Sequence, residues 1–449
     1  KAMQVSDNKH LIERFEKLIR TKEIGFFDVE EFEEITDHYM DIGQLNSAKQ
    51  AIDMGLNLYP NAPIFAVKTA RYFVEANMVE QARKALEHAE GVAPNHPELE
   101  WTRGLIMVRM GKHKEAIKSL KLALDHVEDR YPILGQLAAL YNAMGLYPEA
   151  IESIADMLTE EPDDEHLLYL LALNHDLANM HAEAIAWFDT YISKQPYSET
   201  AWYHKACSHT KQDQLEAALN ALDYAILIDE TFAAAHYDKG RILEALSRPK
   251  EAMLAYEEAI AADQPAAYTL LRIAMCLQQL DRDQESITVL QRAITMDDSL
   301  AEGWAELAKI TAFTGNLIDS ISYVKKAIEL EPDMVNFHAI ALEVYLMTGL
   351  KLEATKAMES LMSCLDQDAE AFVIACSEVS EEGLDMAARA LMEMGIIMHP
   401  KHVDVWALLI GYLKLVEEDS LSEEYRQRAL VQFGNSLEEA LESIYPGQG

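Results

Sequence analysis

The chain has 449 residues, half of which are hydrophobic, so it can bury an extensive core and does not have the composition of a disordered protein. Its 38 basic and 76 acidic residues give a formal net charge of −38, which opposes binding to nucleic acid or anionic lipid and favours a basic or amphipathic protein partner. No apolar run is long enough to span a membrane, and the four cysteines show no CxxC spacing, so we expect a soluble, cytoplasmic protein in a reducing compartment.

The first predicted element is an amphipathic helix over residues 6–21. Together with the residues up to position 28, it is expected to form an N-terminal cap on the segment that follows. Because the chain starts with lysine and not with methionine, removal of a leader is left open. Four apolar side chains recur at helical spacing on one face of this helix, namely Leu11, Phe15, Leu18 and Ile19.

Residues 29–436 divide into twelve consecutive blocks of 34 residues without an insertion or deletion. The twentieth place of every block is small, and the eighth is Ala or Gly in eight blocks, which lets two helices approach closely. Turn-type residues such as Gly43, Asn77 and Asp213 fill the fifteenth place of most blocks, and proline closes six blocks. Each block is therefore predicted to be a helix of about 13 residues, a short turn and a second helix.

The blocks resemble tetratricopeptide repeats, the 34-residue helical hairpins of interaction scaffolds. The family pattern has an aromatic at the fourth place and small residues at the eighth, twentieth and twenty-seventh. Two blocks carry it as Trp202, Ala206, Ala218 and Ala225, and as Trp304, Ala308, Ser320 and Ala327 with Pro332 near the end. The resemblance implies an all-α, right-handed superhelical solenoid whose inner groove is lined by the first helices. Glu100, His236 and His338 depart from the aromatic, and Arg426 stands where an apolar residue is expected.

Residues 437–449 are predicted to form a C-terminal capping helix and tail. Asn435 and Ser436 are residue types that cap helices, and they precede a short amphipathic sequence that ends before Pro446. The predicted organisation is therefore a cap over 1–28, twelve repeats over 29–436 and a second cap over 437–449.

The resemblance places the fifth residue of each first helix in the groove. Tyr169, Tyr203 and Tyr237 hold this place in three successive blocks, and Trp101 holds it two blocks earlier. Rigid aromatic rings with a polar tip bind peptides at low entropic cost, so the tyrosines can form a ladder that contacts a ligand. Packing between repeats is the alternative, and both interpretations stay open. The other expected groove residues are His166, His204, Arg241 and Arg272.

The first block carries a row of carboxylates, which we call the acidic stripe. Its members follow a helical spacing that places them on one face, at the expected entrance of the groove. Such a row either is solvated or receives a basic segment of a partner, and the sequence does not decide between these alternatives. The acidic stripe consists of Glu30, Glu33, Glu34, Asp37 and Asp41.

Candidates for chemistry are few. Cys207 with His204 or His175 is the one possible nucleophile and base pair, and no pattern supplies an oxyanion hole for it. His175 and His209 hold the same place in adjacent blocks, but satisfied core histidines are the simpler interpretation. The sequence contains no GxxxxGK[ST] or GxGxxG motif, so we expect no catalytic residue, no cofactor and no metal.

The leading hypothesis is a noncatalytic scaffold that binds a peptide or helix of a protein partner in its groove. The alternative is a regulatory subunit or assembly chaperone that docks a basic protein through acidic surfaces. An enzyme with an active site in the groove is the third hypothesis. The identity of the partner and the oligomeric state stay open.

Overall fold

A computed structural model describes residues 2–21, 26–127, 129–263, 266–365 and 369–446. All regular secondary structure within these ranges is α-helical, which confirms the prediction of an all-α repeat fold. The chain divides into two compact units, Lys1–Gln214 and Leu215–Gly449. In the part of the chain that the structure describes, no helix is both long and apolar enough to cross a membrane.

The helices of each unit follow in chain order. The first unit contains α1 (Ala2–Thr21), α2 (Val29–Asp41), α3 (Leu45–Leu58), α4 (Ile64–Glu75), α5 (Val79–Val92), α6 (Glu98–Arg109), α7 (His113–Leu124), α8 (Tyr131–Ala143), α9 (Tyr147–Glu160), α10 (Glu165–Leu177), α11 (His181–Lys194) and α12 (Glu199–Lys211). The second unit contains α13 (Leu215–Ile228), α14 (Ala233–Ala245), α15 (Pro249–Ala262), α16 (Ala267–Gln279), α17 (Asp283–Met296), α18 (Ala301–Phe313), α19 (Leu317–Leu330), α20 (Val335–Met347), α21 (Lys351–Cys364), α22 (Ala369–Glu381), α23 (Asp385–Met398), α24 (Val403–Leu415), α25 (Asp419–Phe433) and α26 (Asn435–Ile444).

The turn after each first helix is set by one residue in the left-handed backbone region, at the fifteenth place of each block. Its φ lies between 53° and 89° in all twelve blocks. Six of these residues are glycine and four are Asn or Asp, the types that adopt this conformation most readily. Ser247 and Glu417 adopt it as well, with φ of 55° and 61°. Position in the block therefore dictates the turn even where the residue type does not favour it.

Small residues at the eighth and twentieth places allow the two helices of a block to pack closely. A Cβ on Gly104 would lie 2.7 Å from Leu120, and one on Gly240 would lie 2.6 Å from Tyr256. Where serine replaces alanine at the twentieth place, its hydroxyl donates to a first-helix carbonyl twelve residues earlier. These hydrogen bonds join Ser286 to Ala274 at 2.9 Å, Ser320 to Ala308 at 2.7 Å, and Ser422 to Ile410 at 2.9 Å. Each of these buried hydroxyls therefore has a hydrogen-bond acceptor, as buried polar groups require.

In five blocks, the residue at the fourth place anchors the first helix to the linker that precedes it. The indole Nε1 of Trp202, Trp304 and Trp406 donates to the carbonyl six residues earlier, at 3.0 to 3.1 Å. His236 and His338 reach the same carbonyl with Nε2, at 3.0 and 2.7 Å. The two histidines that depart from the family aromatic therefore make the same contact as the tryptophans.

Both ends of the array are covered by an additional helix. Phe15 of α1 is fully buried and packs edge-on against Phe27 and Phe32, with ring centroids 5.9 and 6.4 Å away. At the other end, the guanidinium of Arg426 binds both carboxylate oxygens of Glu438 on α26. Arg426 replaces an apolar residue because its partner is this terminal helix.

The prediction that Asn435 and Ser436 cap the last helix is wrong. Helix α25 continues to Phe433, and α26 begins one residue after Gly434, whose φ of 59° makes the turn. The chain therefore has no linker in which a side chain could cap α26, and no side-chain cap bond forms there.

Candidate functional site

The acidic stripe on α2 faces two cations of α4 within the first unit. The ammonium of Lys68 lies 3.1 Å from Glu33 and 2.9 Å from Asp37, and the guanidinium of Arg71 lies 3.5 Å from Asp37 and 3.6 Å from Asp41. Three of the five stripe carboxylates are thus paired inside the chain, whereas Glu30 and Glu34 are exposed.

Lys68 is the centre of this network because its side chain is completely buried. A third carboxylate, Glu98 of α6, approaches its ammonium to 2.7 Å. Burial alone would lower the pKa of Lys68, but Glu98, Asp37 and Glu33 together raise it above its ordinary value. The same ammonium lowers the pKa of Glu98 against the effect of burial, whereas burial keeps the pKa of Asp37 raised. The network therefore holds a charged lysine among three carboxylates.

Trp101 belongs to the same surface. The guanidinium carbon of Arg71 lies over its indole ring, 4.2 Å from the ring centroid, and 3.9 Å separates the guanidinium of Arg71 from the second carboxylate oxygen of Glu98. Trp101 therefore stacks on an arginine of its own chain, a geometry in which cation–π attraction is favourable.

The acidic network is also the place where a cation could bind. The carboxylate oxygens of Glu33, Asp37 and Glu98 lie within 4.8 Å of one another, as the ligands of a metal ion do. Lys68 contacts all three, so its ammonium supplies the positive charge that a metal would bring.

A cleft of about 150 Å³ lies between α10 and α12, which we call the α10–α12 cleft. Tyr169 projects at its edge with 51% of its surface exposed, while His204 is buried beneath it, with ring centroids 6.2 Å apart. Cys207 and Leu173 line the remaining wall. Tyr169, His204 and Leu173 hold places that the resemblance assigns to the groove.

The imidazole of His204 is uncharged at neutral pH. Burial lowers its pKa to about 4. It stacks on Phe188 of α11 with ring centroids 6.0 Å apart, and Tyr203 packs against it edge-on at 5.4 Å. An imidazole with this pKa is a weak base, so it is poorly suited to activate Cys207.

One end of the α10–α12 cleft is polar. The ammonium of Lys211 forms an ion pair with Asp176 at 3.3 Å, and Nδ1 of His181 lies 3.8 Å from the same carboxylate. Asp176 and Lys211 are both about half exposed, so water or a ligand group can compete for them. The cleft thus combines an aromatic edge with donors and an acceptor at its end.

The remaining predicted groove residues lie apart from this cleft or are paired with their own chain. His166 is exposed at the start of α10. In the second unit, Tyr237 packs on Tyr256 with ring centroids 5.4 Å apart. Arg272 is paired with the nearly buried Glu244, whereas Arg241 is largely exposed and lies 3.2 Å from Asp238.

The histidines considered for a shared metal are satisfied locally. His175 is buried, and its Nδ1 lies 2.8 Å from the carbonyl of Leu171. His209 uses Nδ1 in a 2.7 Å contact with Gln214. These contacts are those of histidines that stabilise their own repeat.

Sequence reasoning missed the pairing of Lys68 and Arg71 with the acidic stripe. The sequence does contain an indication of this pairing. Lys68 and Arg71 occupy groove positions of the second block, and the carboxylates of the acidic stripe occupy groove positions of the first block. Adjacent first helices that lie side by side bring such places together, so opposite charges one block apart indicate an ion pair.

Family models described as tetratricopeptide repeat match residues 107–173, 203–267 and 268–296. No curated protein is significantly similar to the chain.

Solved structures with a similar fold include YrrB, described as a TPR protein with an unusual peptide-binding site. YrrB is 20% identical to this chain, and the superposition has a TM-score of 0.35. The match covers 39% of this chain and 91% of that chain. A structure of Naa15/Naa10 bound to HypK-THB is 16% identical over 96% of this chain and 79% of its own, with a TM-score of 0.39. The APC/C hetero-tetramer Cut9-Hcn1 is 12% identical over 86% and 97%, also with a TM-score of 0.39. At these identities the likeness concerns the fold alone.

Proposed function

The chain is a tetratricopeptide repeat protein, and on this premise we propose that it is a noncatalytic scaffold that binds an extended peptide or helix of a protein partner in the α10–α12 cleft. The observation that carries the proposal is the half-exposed ring of Tyr169 above the buried, uncharged His204. Exposed aromatic rings on a rigid base are frequent anchors of peptide binding, because they lose little conformational freedom on contact.

The chemistry of the cleft favours a ligand with an apolar side chain followed by a polar or charged group. The apolar side chain packs on Tyr169 and Leu173. The polar group meets Asp176 and Lys211, which are about half exposed and exchange their mutual ion pair for contacts with the ligand at small cost.

The proposal is tested with peptides selected from a random twelve-residue phage library on the immobilised full chain, and with binding measured by fluorescence polarisation. Tyr169→Ala is expected to weaken the selected peptides about 30-fold, which corresponds to the loss of about 2 kcal/mol typical of a binding hot spot. Tyr224→Ala is the matched control, because Tyr224 is also 51% exposed but lies on α13. Equal effects of the two variants, or selected peptides that do not respond to Tyr169→Ala, would contradict the proposal.

A second candidate function is docking of a basic protein partner at the exposed part of the acidic stripe. Partial burial, followed by the neighbouring carboxylates Asp28 and Glu31, raises the pKa of Glu34. The carboxylates contribute to this shift after burial, so negatively charged neighbours surround Glu34.

An octalysine peptide is the probe for this second function. We expect the double variant Glu30→Lys, Glu34→Lys to weaken its binding more than the control Glu257→Lys, Glu258→Lys, which changes two exposed carboxylates of α15. Equal losses in both variants would show that only the overall charge attracts the probe.

A further inference from the structure

A second cleft, of about 390 Å³, lies between the second helices α9 and α11 of the first unit, and we call it the α9–α11 cleft. Its lining is mostly apolar and includes Leu158 and Pro162. Trp187 and Tyr191 form one wall as a stacked pair, with ring centroids 5.3 Å apart and ring planes 16° from parallel. The hydroxyl of Tyr191 donates to the carbonyl of Pro162, which fixes the orientation of this ring.

The opposite wall belongs to a helix that carries only negative charge. The sequence of α9, YPEAIESIADMLTE, contains four carboxylates and no lysine or arginine. Three further acidic residues, Glu161, Asp163 and Asp164, follow before α10 begins. Asp156 lines the cleft itself, and Lys194 on the α11 side is the one cation among the lining residues.

We propose that the α9–α11 cleft binds an arginine side chain of a basic segment in a partner protein. A guanidinium is planar, so it stacks on the Trp187 ring, and its remaining donors reach the carboxylate of Asp156. Asp156 now lies 3.7 Å from the guanidinium of Arg130, and both side chains are about half exposed. Exposed pairs of this kind contribute little, so an incoming arginine replaces Arg130 at small cost. This site is separate from the α10–α12 cleft, and it is independent of the proposed function there.

The test is fluorine NMR of the full chain labelled with 5-fluorotryptophan, in which Trp187→Phe identifies the resonance of Trp187. The probe is the acetylated and amidated peptide Gly-Arg-Leu-Arg-Ser-Gly, and the control peptide has glutamine in place of both arginines. We expect the Trp187 resonance to shift with saturation on addition of the arginine peptide. The glutamine peptide is expected to bind at least about fivefold more weakly, as expected for loss of a cation–π contact.

Two matched charge reversals distinguish binding of the arginine peptide in the α9–α11 cleft from general attraction of the peptide to the acidic surface. Asp156→Lys is expected to weaken the arginine peptide about fivefold, because it places a cation beside the guanidinium. Glu152→Lys makes the same charge change one turn earlier on α9, at an exposed residue outside the cleft, and is expected to change affinity less than about twofold. Both substitutions are on exposed side chains, so the fold is retained. A Trp187 resonance that does not respond, equal binding of both peptides, or equal losses in the two variants would each overturn the proposal.

Discussion

Replacing Lys68 with methionine should locally destabilise the first three repeats. Methionine keeps the length and apolar stem of lysine but removes the charge that pairs with Glu33, Asp37 and Glu98 at 2.7 to 3.1 Å. Removing one member of a buried ion pair costs about 3 to 5 kcal/mol. The carboxylates are 16 to 33% exposed, and Arg71 stays within 4 Å of two of them, so we expect the lower end, about 3 kcal/mol.

Hydrogen exchange measured by mass spectrometry is the suitable assay, because long repeat arrays do not unfold in one step. A local loss of about 3 kcal/mol corresponds to exchange about 100-fold faster in peptides from α2, α4 and α6, with α18 unchanged. Lys84→Met, at an exposed lysine of α5, is the control and should change little. Exchange that changes less than about threefold in all three helices would refute the assigned role of Lys68.

The pKa of Lys68 gives the same network a defined pH dependence. Its pKa in the folded chain is raised above the ordinary value of 10.5, so the folded state binds the proton more tightly than the unfolded state. The stabilisation is therefore complete below pH 10.5 and is lost as the pH rises through the folded value. Exchange in α4, corrected for its intrinsic pH dependence, should accelerate in this alkaline range for the original chain, and Lys68→Met should remove the acceleration that deprotonation of this lysine causes.

Three further predictions concern single residues. Glu417→Gly should slow hydrogen exchange in the last repeat, because glycine relieves a left-handed conformation that costs other residues about 1 kcal/mol. Glu418→Gly in the same turn, at a residue with φ of −90°, should instead accelerate it. Gly240→Ala should destabilise the α14–α15 pair by about 1 to 3 kcal/mol, because the new Cβ meets the ring of Tyr256, and hydrogen exchange in peptides of α14 and α15 measures the loss. Unchanged exchange would show that this ring moves freely. Acidification should open the α10–α12 cleft. The pKa of His204 is about 4 in the folded chain, so the folded state binds the proton more weakly than the unfolded state. The resulting stabilisation is complete above pH 6.5 and is lost as the pH falls towards 4. Exchange in α12, corrected for its intrinsic pH dependence, measures this effect, and His204→Phe should remove it.

The sequence was sufficient to predict the repeat architecture because its determinants are local and recur at a fixed period. The residue at the fifteenth place makes the turn in every block, including the two blocks where Ser247 and Glu417 gave no turn signal. The end of α25 was less predictable, since Gly434 joins two helices directly and periodicity alone does not distinguish a tight turn from a capped linker.

The candidate site could be predicted only as a set of places along first helices. Which side chains meet across those places depends on contacts between different blocks, and Lys68 shows how an ion pair withdraws part of the acidic stripe from a partner. The aromatic places likewise differ in use, because Tyr169 is exposed at a cleft whereas Trp101 stacks on Arg71. Whether the tyrosines contact a ligand stays a prediction.

The contact between a ring at the fourth place and the preceding linker shows which residues are equivalent at this place of the repeat pattern. A histidine there should not be scored as a mismatch when diverged repeats are compared with the pattern. The shared requirement of Trp202 and His338 is a ring N–H at a fixed reach, and both satisfy it through a carbonyl six residues earlier. Phenylalanine has the aromaticity without the donor, whereas histidine has the donor with a smaller ring. A sequence profile that scores Trp and His as equivalents at this place would detect the start of repeats that a profile based on aromaticity overlooks.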